Sequence, residues 1–140
     1  MIFAFWKSAF SSPQPDQVLI HREEITRLDS DKKVVELFWA APQKVNGKLP
    51  AVIYVHGVQD QNRPGAINLA NAGVLRATAD LGVFAAAMSM PGYGKSSGEA
   101  DFCGRESQVA LQSALKYLRL RSDADPRKIA VSGIITWSNT

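Results

Sequence analysis

The chain contains one cysteine, Cys103, in 140 residues. That scarcity excludes an internal disulfide and a cysteine-based zinc site, and it fits a reducing, cytoplasmic setting better than a secreted one. Histidine is almost as rare: His21 and His56 are the only two, and none follows His56. No run approaches the roughly 18 apolar residues needed to cross a bilayer. The opening MIFAFWKSAF is apolar, but Lys7 interrupts it and no basic segment precedes it, so a targeting signal is not the favoured reading. Charge of one sign is also lacking. The net charge is +3, spread along the chain, with a mild basic cluster from Lys116 to Lys128 that helix spacing would place on a solvated face. Neither a nucleic-acid nor a membrane partner is expected, and no cofactor or metal is called for.

The composition that remains, 46% hydrophobic and 21% charged, is that of one globular domain with an enclosed core. SSPQPD, residues 11–16, is a Pro/Ser-rich connector, which makes 1–16 an arm and 17–140 the folded domain. EEITRL and KKVVELFWA are β-rich runs separated by the polar DSDK, and an antiparallel hairpin is the simplest reading. Asn46-Gly47 marks a turn. AVIYV, residues 51–55, is continuously apolar, as a parallel strand covered on both faces must be. Ile67, Ala70, Val74, Ala77 and Leu81 recur at helical spacing and predict one helix stopped by Gly82. VFAAAMSM is a second buried strand. Ala110, Leu111, Ala114, Leu115 and Leu118 stripe a second helix, and KIAVSG returns to strand. The expected class is α/β: a hairpin followed by right-handed parallel β/α units.

Three segments then fall in a telling order: YVHGVQD, MPGYGKSSG and DPRKIAVSG. Together they resemble the α/β-hydrolase family, particularly its dienelactone hydrolase, acetyl esterase and prolyl oligopeptidase-like branches, over about residues 20–134. The resemblance implies the N-terminal half of that family's sheet, truncated at its fifth strand. It implies esters or related acyl bonds, in small molecules or peptides, as substrates of the intact enzyme. His56-Gly57 would open the loop after the third strand, and the Val58 N–H would form half of an oxyanion hole, the glycine letting the chain turn sharply enough to aim an amide at a developing alkoxide. The family's triad runs serine, acid, histidine along the chain, so an upstream His56 reads as a loop-shaping residue and not as a general base. His21, on an expected edge strand, reads as a surface histidine.

Gly92, Gly94, Lys95 and Ser96 also fit the second half of a phosphate-binding G-x-x-x-x-G-K-[ST] loop, which would make the chain a nucleotide-binding module. The first glycine of that pattern is Ser89, and Ser97-Gly98 and Gly104 interrupt the helix such a loop needs. Cys103 stands ahead of a helix start without a downstream histidine partner and reads as inert. Asp101 and Glu106 read as helix-start residues.

The elbow G-x-S-x-G places its serine on a strained turn after the fifth strand. Gly133 aligns with the first glycine, which puts Ile135 at the serine position and Trp137 at the second glycine. Isoleucine carries no nucleophile, and tryptophan cannot enter the close contact that glycine permits. Ser132 lies within the strand and Ser138 falls outside the spacing, and after Gly133 there is neither an acid nor a histidine. The resemblance therefore implies a serine hydrolase without its active site as written. An internal parallel strand left as an open edge favours self-association, and a small non-catalytic binding protein using that edge is the alternative. The codons for Ile135–Ser138 suggest an origin. If Ile135 is ATC and Ser138 uses TC-x, deleting one nucleotide at or before Ile135 restores G-I-S-x-G at the required register.

Overall fold

The computed structural model describes residues 17–59 and 64–134. The expected hairpin is β1 (His21–Arg27) and β2 (Ser30–Ala40), paired antiparallel from His21↔Trp39 to Arg27↔Ser30. It is followed by β3 (Leu49–His56), α1 (Ile67–Asn71), α2 (Val74–Asp80), β4 (Phe84–Met88), α3 (Arg105–Leu120) and β5 (Ala124–Ile134). The five strands form one sheet in the order β1-β2-β4-β3-β5, with β2 and β4 antiparallel and β4, β3 and β5 mutually parallel. A parallel neighbour requires a crossover, and the two crossovers here, through α1–α2 and through α3, cover opposite faces of the sheet.

Side-chain alternation divides the core in two. On one face Ala110, Ala114 and Leu118 of α3 pack against Leu37, Ile53, Phe84 and Met88; on the other Leu69, Leu75 and Ala79 pack against Phe38, Ala40, Ala85 and Ala87. β4, Phe-Ala-Ala-Ala-Met, is buried at every position, and Ala85 and Ala87 let α2 pack closely on their face of it. Truncating a fully enclosed side chain such as Leu118 to alanine should cost about 2–5 kcal/mol.

The structure departs from the sequence expectations in three places. The single helix expected over residues 67–81 is two short helices, because Gly73 adopts a left-handed φ of 82° and turns the chain between them. β5 starts at Ala124, before Pro126, since the Leu49 N–H donates to the Asp123 carbonyl at 2.9 Å and draws the chain alongside β3 early. The basic cluster is not one solvated face: α3 ends at Leu120, Lys128 lies on β5, and Arg121 turns back over the Trp39 ring, 4.2 Å from its centroid. His21 is exposed as expected, stacked on Trp39 with ring centroids 4.0 Å apart. Residues 1–16, read as an arm, lie outside the described residues, and among the described residues no helix is long and apolar enough to cross a membrane.

Candidate active-site cleft

β3 delivers His56 to the end of the sheet, where it is buried, with 7% of its surface exposed. Its ring bridges two loops. Nδ1 lies 2.8 Å from the Gly57 carbonyl, and the Met90 N–H donates to Nε2 at 2.9 Å. The Met90 donor requires a bare Nε2, so the proton sits on Nδ1 and donates to Gly57, which assigns the neutral tautomer. Burial pushes the imidazole below its ordinary pKa, opposed by the Gly57 bond. With both nitrogens engaged, His56 clamps the loop after β3 to the loop after β4 and has no lone pair left for a general base. Tyr93 packs edge-on against it at 4.8 Å between centroids.

Beyond the clamp the chain presents Gly57 and the exposed Val58, and no acceptor among the described residues is bonded to the Val58 N–H. These residues form one wall of a cleft of about 170 Å³. Met90, Pro91 and Tyr93 from the loop after β4 form the floor, and Ala100–Cys103 form the far wall.

The loop after β4 is held by Glu36 and by Ser89, Ser96 and Ser97, serines that the sequence offers only as parts of a phosphate-loop comparison. Ser89, fully buried, donates to Glu36 Oε1 at 2.7 Å and accepts from the Ala66 N–H at 2.9 Å. Glu36 Oε2 receives Arg22 Nε at 2.9 Å. Ser96 Oγ accepts from the Glu36 N–H at 2.9 Å, and Ser97 exchanges two such bonds with Val34, its hydroxyl and its N–H each at 2.9 Å. Residues Val34–Glu36 of β2 extend past the end of β4, so these serines satisfy backbone groups the sheet leaves over. The only available signal was the serine-rich stretch itself. A phosphate loop is not built here: no helix follows Lys95-Ser96 until Arg105, and Ser96 is committed to the backbone.

Asp101 and Glu106 sit at the start of α3, as expected. The Asp101 carboxylate accepts the Glu106 N–H at 2.6 Å and the Ser107 N–H at 3.2 Å, and the Ser107 hydroxyl, followed by these amides, holds it below the usual carboxylate range. Glu106 pairs with the fully buried Arg27 guanidinium, which also grips Asp29. Cys103 is exposed on the rim of the cleft.

The β3–β5 register sets Val55 opposite Gly133 and His56 opposite Ile134, so β5 ends beside the His56 loop. Ile135 and Trp137 of the expected elbow, and Ser138 outside its spacing, lie outside the described residues.

No family model matches the chain, and no curated protein matches it. Solved structures do. A hypothetical protein of Pseudomonas aeruginosa superposes with a TM-score of 0.65 at 16% identity, over 86% of this chain and 36% of its own. An acetyl xylan esterase from Paenibacillus sp. R4 gives 0.62 at 18% identity, over 93% and 50%. A bacterial heroin esterase gives 0.62 at 19% identity, over 94% and 40%. The chain thus spans between about a third and a half of these structures' lengths. At such identities the likeness is one of fold, and the fold is that of an α/β-hydrolase sheet: an antiparallel hairpin followed by parallel β/α units.

Proposed function

We propose that the chain builds the oxyanion side of a serine-hydrolase domain of the dienelactone hydrolase, acetyl esterase and prolyl oligopeptidase-like branch, acting in its intact form on esters or related acyl bonds. The observation that carries this reading is the His56 clamp, which holds Gly57 and Val58 beside the end of β5 and over a cleft. An amide fixed before the reaction stabilises a developing oxyanion without reorganising, and one such donor is worth about 10²–10³ in kcat. The esterase neighbours support the reading through their shared fold.

The nucleophile is the missing part. Ile135 and Trp137 occupy the positions of the elbow's serine and second glycine, so the chain as written is proposed to be inactive, with a single-nucleotide frameshift near Ile135 as the origin. Its outer β5 edge, where Ala130, Val131 and Gly133 are exposed, is proposed to self-associate. The test is hydrolysis of short p-nitrophenyl esters, expected to proceed no faster than with denatured chain; a saturable rate abolished by a serine-directed phosphonate would refute inactivity. The gene is to be sequenced in parallel. In the shifted frame past Ile134 it should stay open for roughly a hundred codons or more, as a complete domain requires, and should encode an acid and then a histidine. An early stop in that frame would remove the frameshift.

A further inference from the structure

The far wall of the cleft has an unusual backbone. Phe102 and Cys103 are consecutive non-glycine residues at positive φ, 48° and 73°. Left-handed backbone is costly for any residue that carries a Cβ, and it persists only where its surroundings impose it. Here the surroundings are the Asp101 cap on one side and α3 on the other, with Gly104 pressed so closely on Asp101 that a Cβ there would lie 2.6 Å from Oδ2. The kink leaves Phe102 79% exposed at the mouth of a cleft whose other walls are mostly apolar. A large aromatic side chain held in water by a strained backbone gains most if a ligand covers it.

Charge and size narrow what that ligand is. Asp101 is the one charged residue lining the cleft among the described residues, and its cap bonds keep it ionised. The polar groups of Ser107 and His56 are already committed to protein partners. The volume, about 170 Å³, is close to that of apolar cavities that take up benzene. We infer that the cleft binds one small uncharged group of about benzene size, that Phe102 is the specificity-determining residue closing over it, and that Asp101 turns anionic ligands away. The inference rests on the cleft being the substrate side of the proposed hydrolase site, but its test needs no nucleophile.

The chain is titrated with benzamide and with benzoate, alike in size and shape and different in charge, while backbone amide resonances are followed by NMR. Benzamide should shift Gly57, Val58 and residues 102–104 saturably, and benzoate should bind about tenfold more weakly or worse, the effect of one partly solvated negative charge a few ångströms away. Phe102→Gly removes the ring and also relieves the strained φ, so it should fold and yet bind benzamide severalfold more weakly. Asp101→Asn, which keeps one acceptor for the cap, should narrow the gap between the two probes. A second, more open groove is lined by Arg22, Phe38, Pro64, Ile67 and Lys95. Equal affinity for both probes, absence of benzamide binding, shifts centred on that groove, or undiminished binding by Phe102→Gly would each overturn the inference. If Asp101→Asn fails to fold, the wild-type comparison and Phe102→Gly still decide it. An ester-hydrolysis result, positive or negative, leaves these readouts untouched.

Discussion

Gly94→Ala should be among the most damaging single-methyl changes available in this chain. Two costs combine. Gly94 has a φ of 53°, where an alanine pays roughly 1–2 kcal/mol for left-handed backbone. The added Cβ would also collide with Glu36 Oε1 and lie 2.7 Å from Ser89 Oγ. Glu36 has little room to yield, since its side chain is 5% exposed and is held by Arg22 and Ser89. Displacing it forfeits at least one hydrogen bond to a charged group, about 1.5–3 kcal/mol, and the two costs sum to about 2.5–5 kcal/mol. A domain of ordinary stability holds only about 5–15 kcal/mol in all. Gly73→Ala supplies the internal control: its φ is 82°, but an added Cβ there meets nothing within 4 Å, so the backbone cost of about 1–2 kcal/mol stands alone. Urea unfolding followed by circular dichroism measures both. The reasoning fails if the two variants lose stability to within about 0.5 kcal/mol of each other, because the Glu36 collision would then count for nothing.

Stability should fall as pH drops from about 6.5, the ordinary value for imidazole, because an unfolded chain takes up a proton that the buried His56 resists, and the loss should level off below its depressed folded value. The carboxylates of Asp29, Asp101, Glu106 and Asp123 are held low and act only further down, so His56→Gln should flatten the change between pH 7 and 5; an unchanged slope would contradict the clamp. Arg27→Lys should lower the melting temperature more than Arg22→Lys, since Arg27 is fully buried between Asp29 and Glu106 whereas Arg22 is 41% exposed, and the opposite ranking would refute this. Val131→Lys, on the outer strand where Val131 is 47% exposed, should shift sedimentation toward monomer, and an unaltered profile would exclude self-association through that edge.

Features carried by local pattern were legible. AVIYV and FAAAM are continuous apolar runs because both of their faces are covered, and the stripe from Ala110 to Leu118 is the face α3 turns to the sheet. The spacing over residues 67–81 predicts one helix because its apolar positions continue unbroken through the bend: Leu69 and Leu75 face the same core from two axes, and only Gly73 betrays the break. His56 was legible as a loop-former from the glycine beside it. Its partner Met90 was not, because a backbone amide leaves no trace in residue type. Glu36 and Ser89 are 53 residues apart, and a lone glutamate in an apolar strand carries no sign of what it will meet.

Those hidden contacts gather where β3 and β4 end, and there is a physical reason. Both strands are interior, so the chain leaving them emerges with backbone donors and acceptors that no neighbouring strand pairs. Short side chains that both donate and accept suit such a place, and Ser89, Ser96, Ser97 and His56 are the residues found there. Once these groups are paired, the loops hold a fixed shape without being helix or strand. The shape of the cleft is consequently set in part from β2: Glu36 pins Ser89, Ser96 binds the Glu36 backbone, and Tyr93 and Pro91 lie between those two anchors. A change confined to β2 should therefore move the cleft floor before it disturbs the sheet. Glu36→Gln is the mildest such change, since it keeps the shape of the side chain and weakens its hold on Arg22 and Ser89. It should shift the amide resonances of residues 89–94 more than those of Ala85–Ala87 in the neighbouring strand, and a perturbation spread evenly over both would show that the loop is held by something other than these pins.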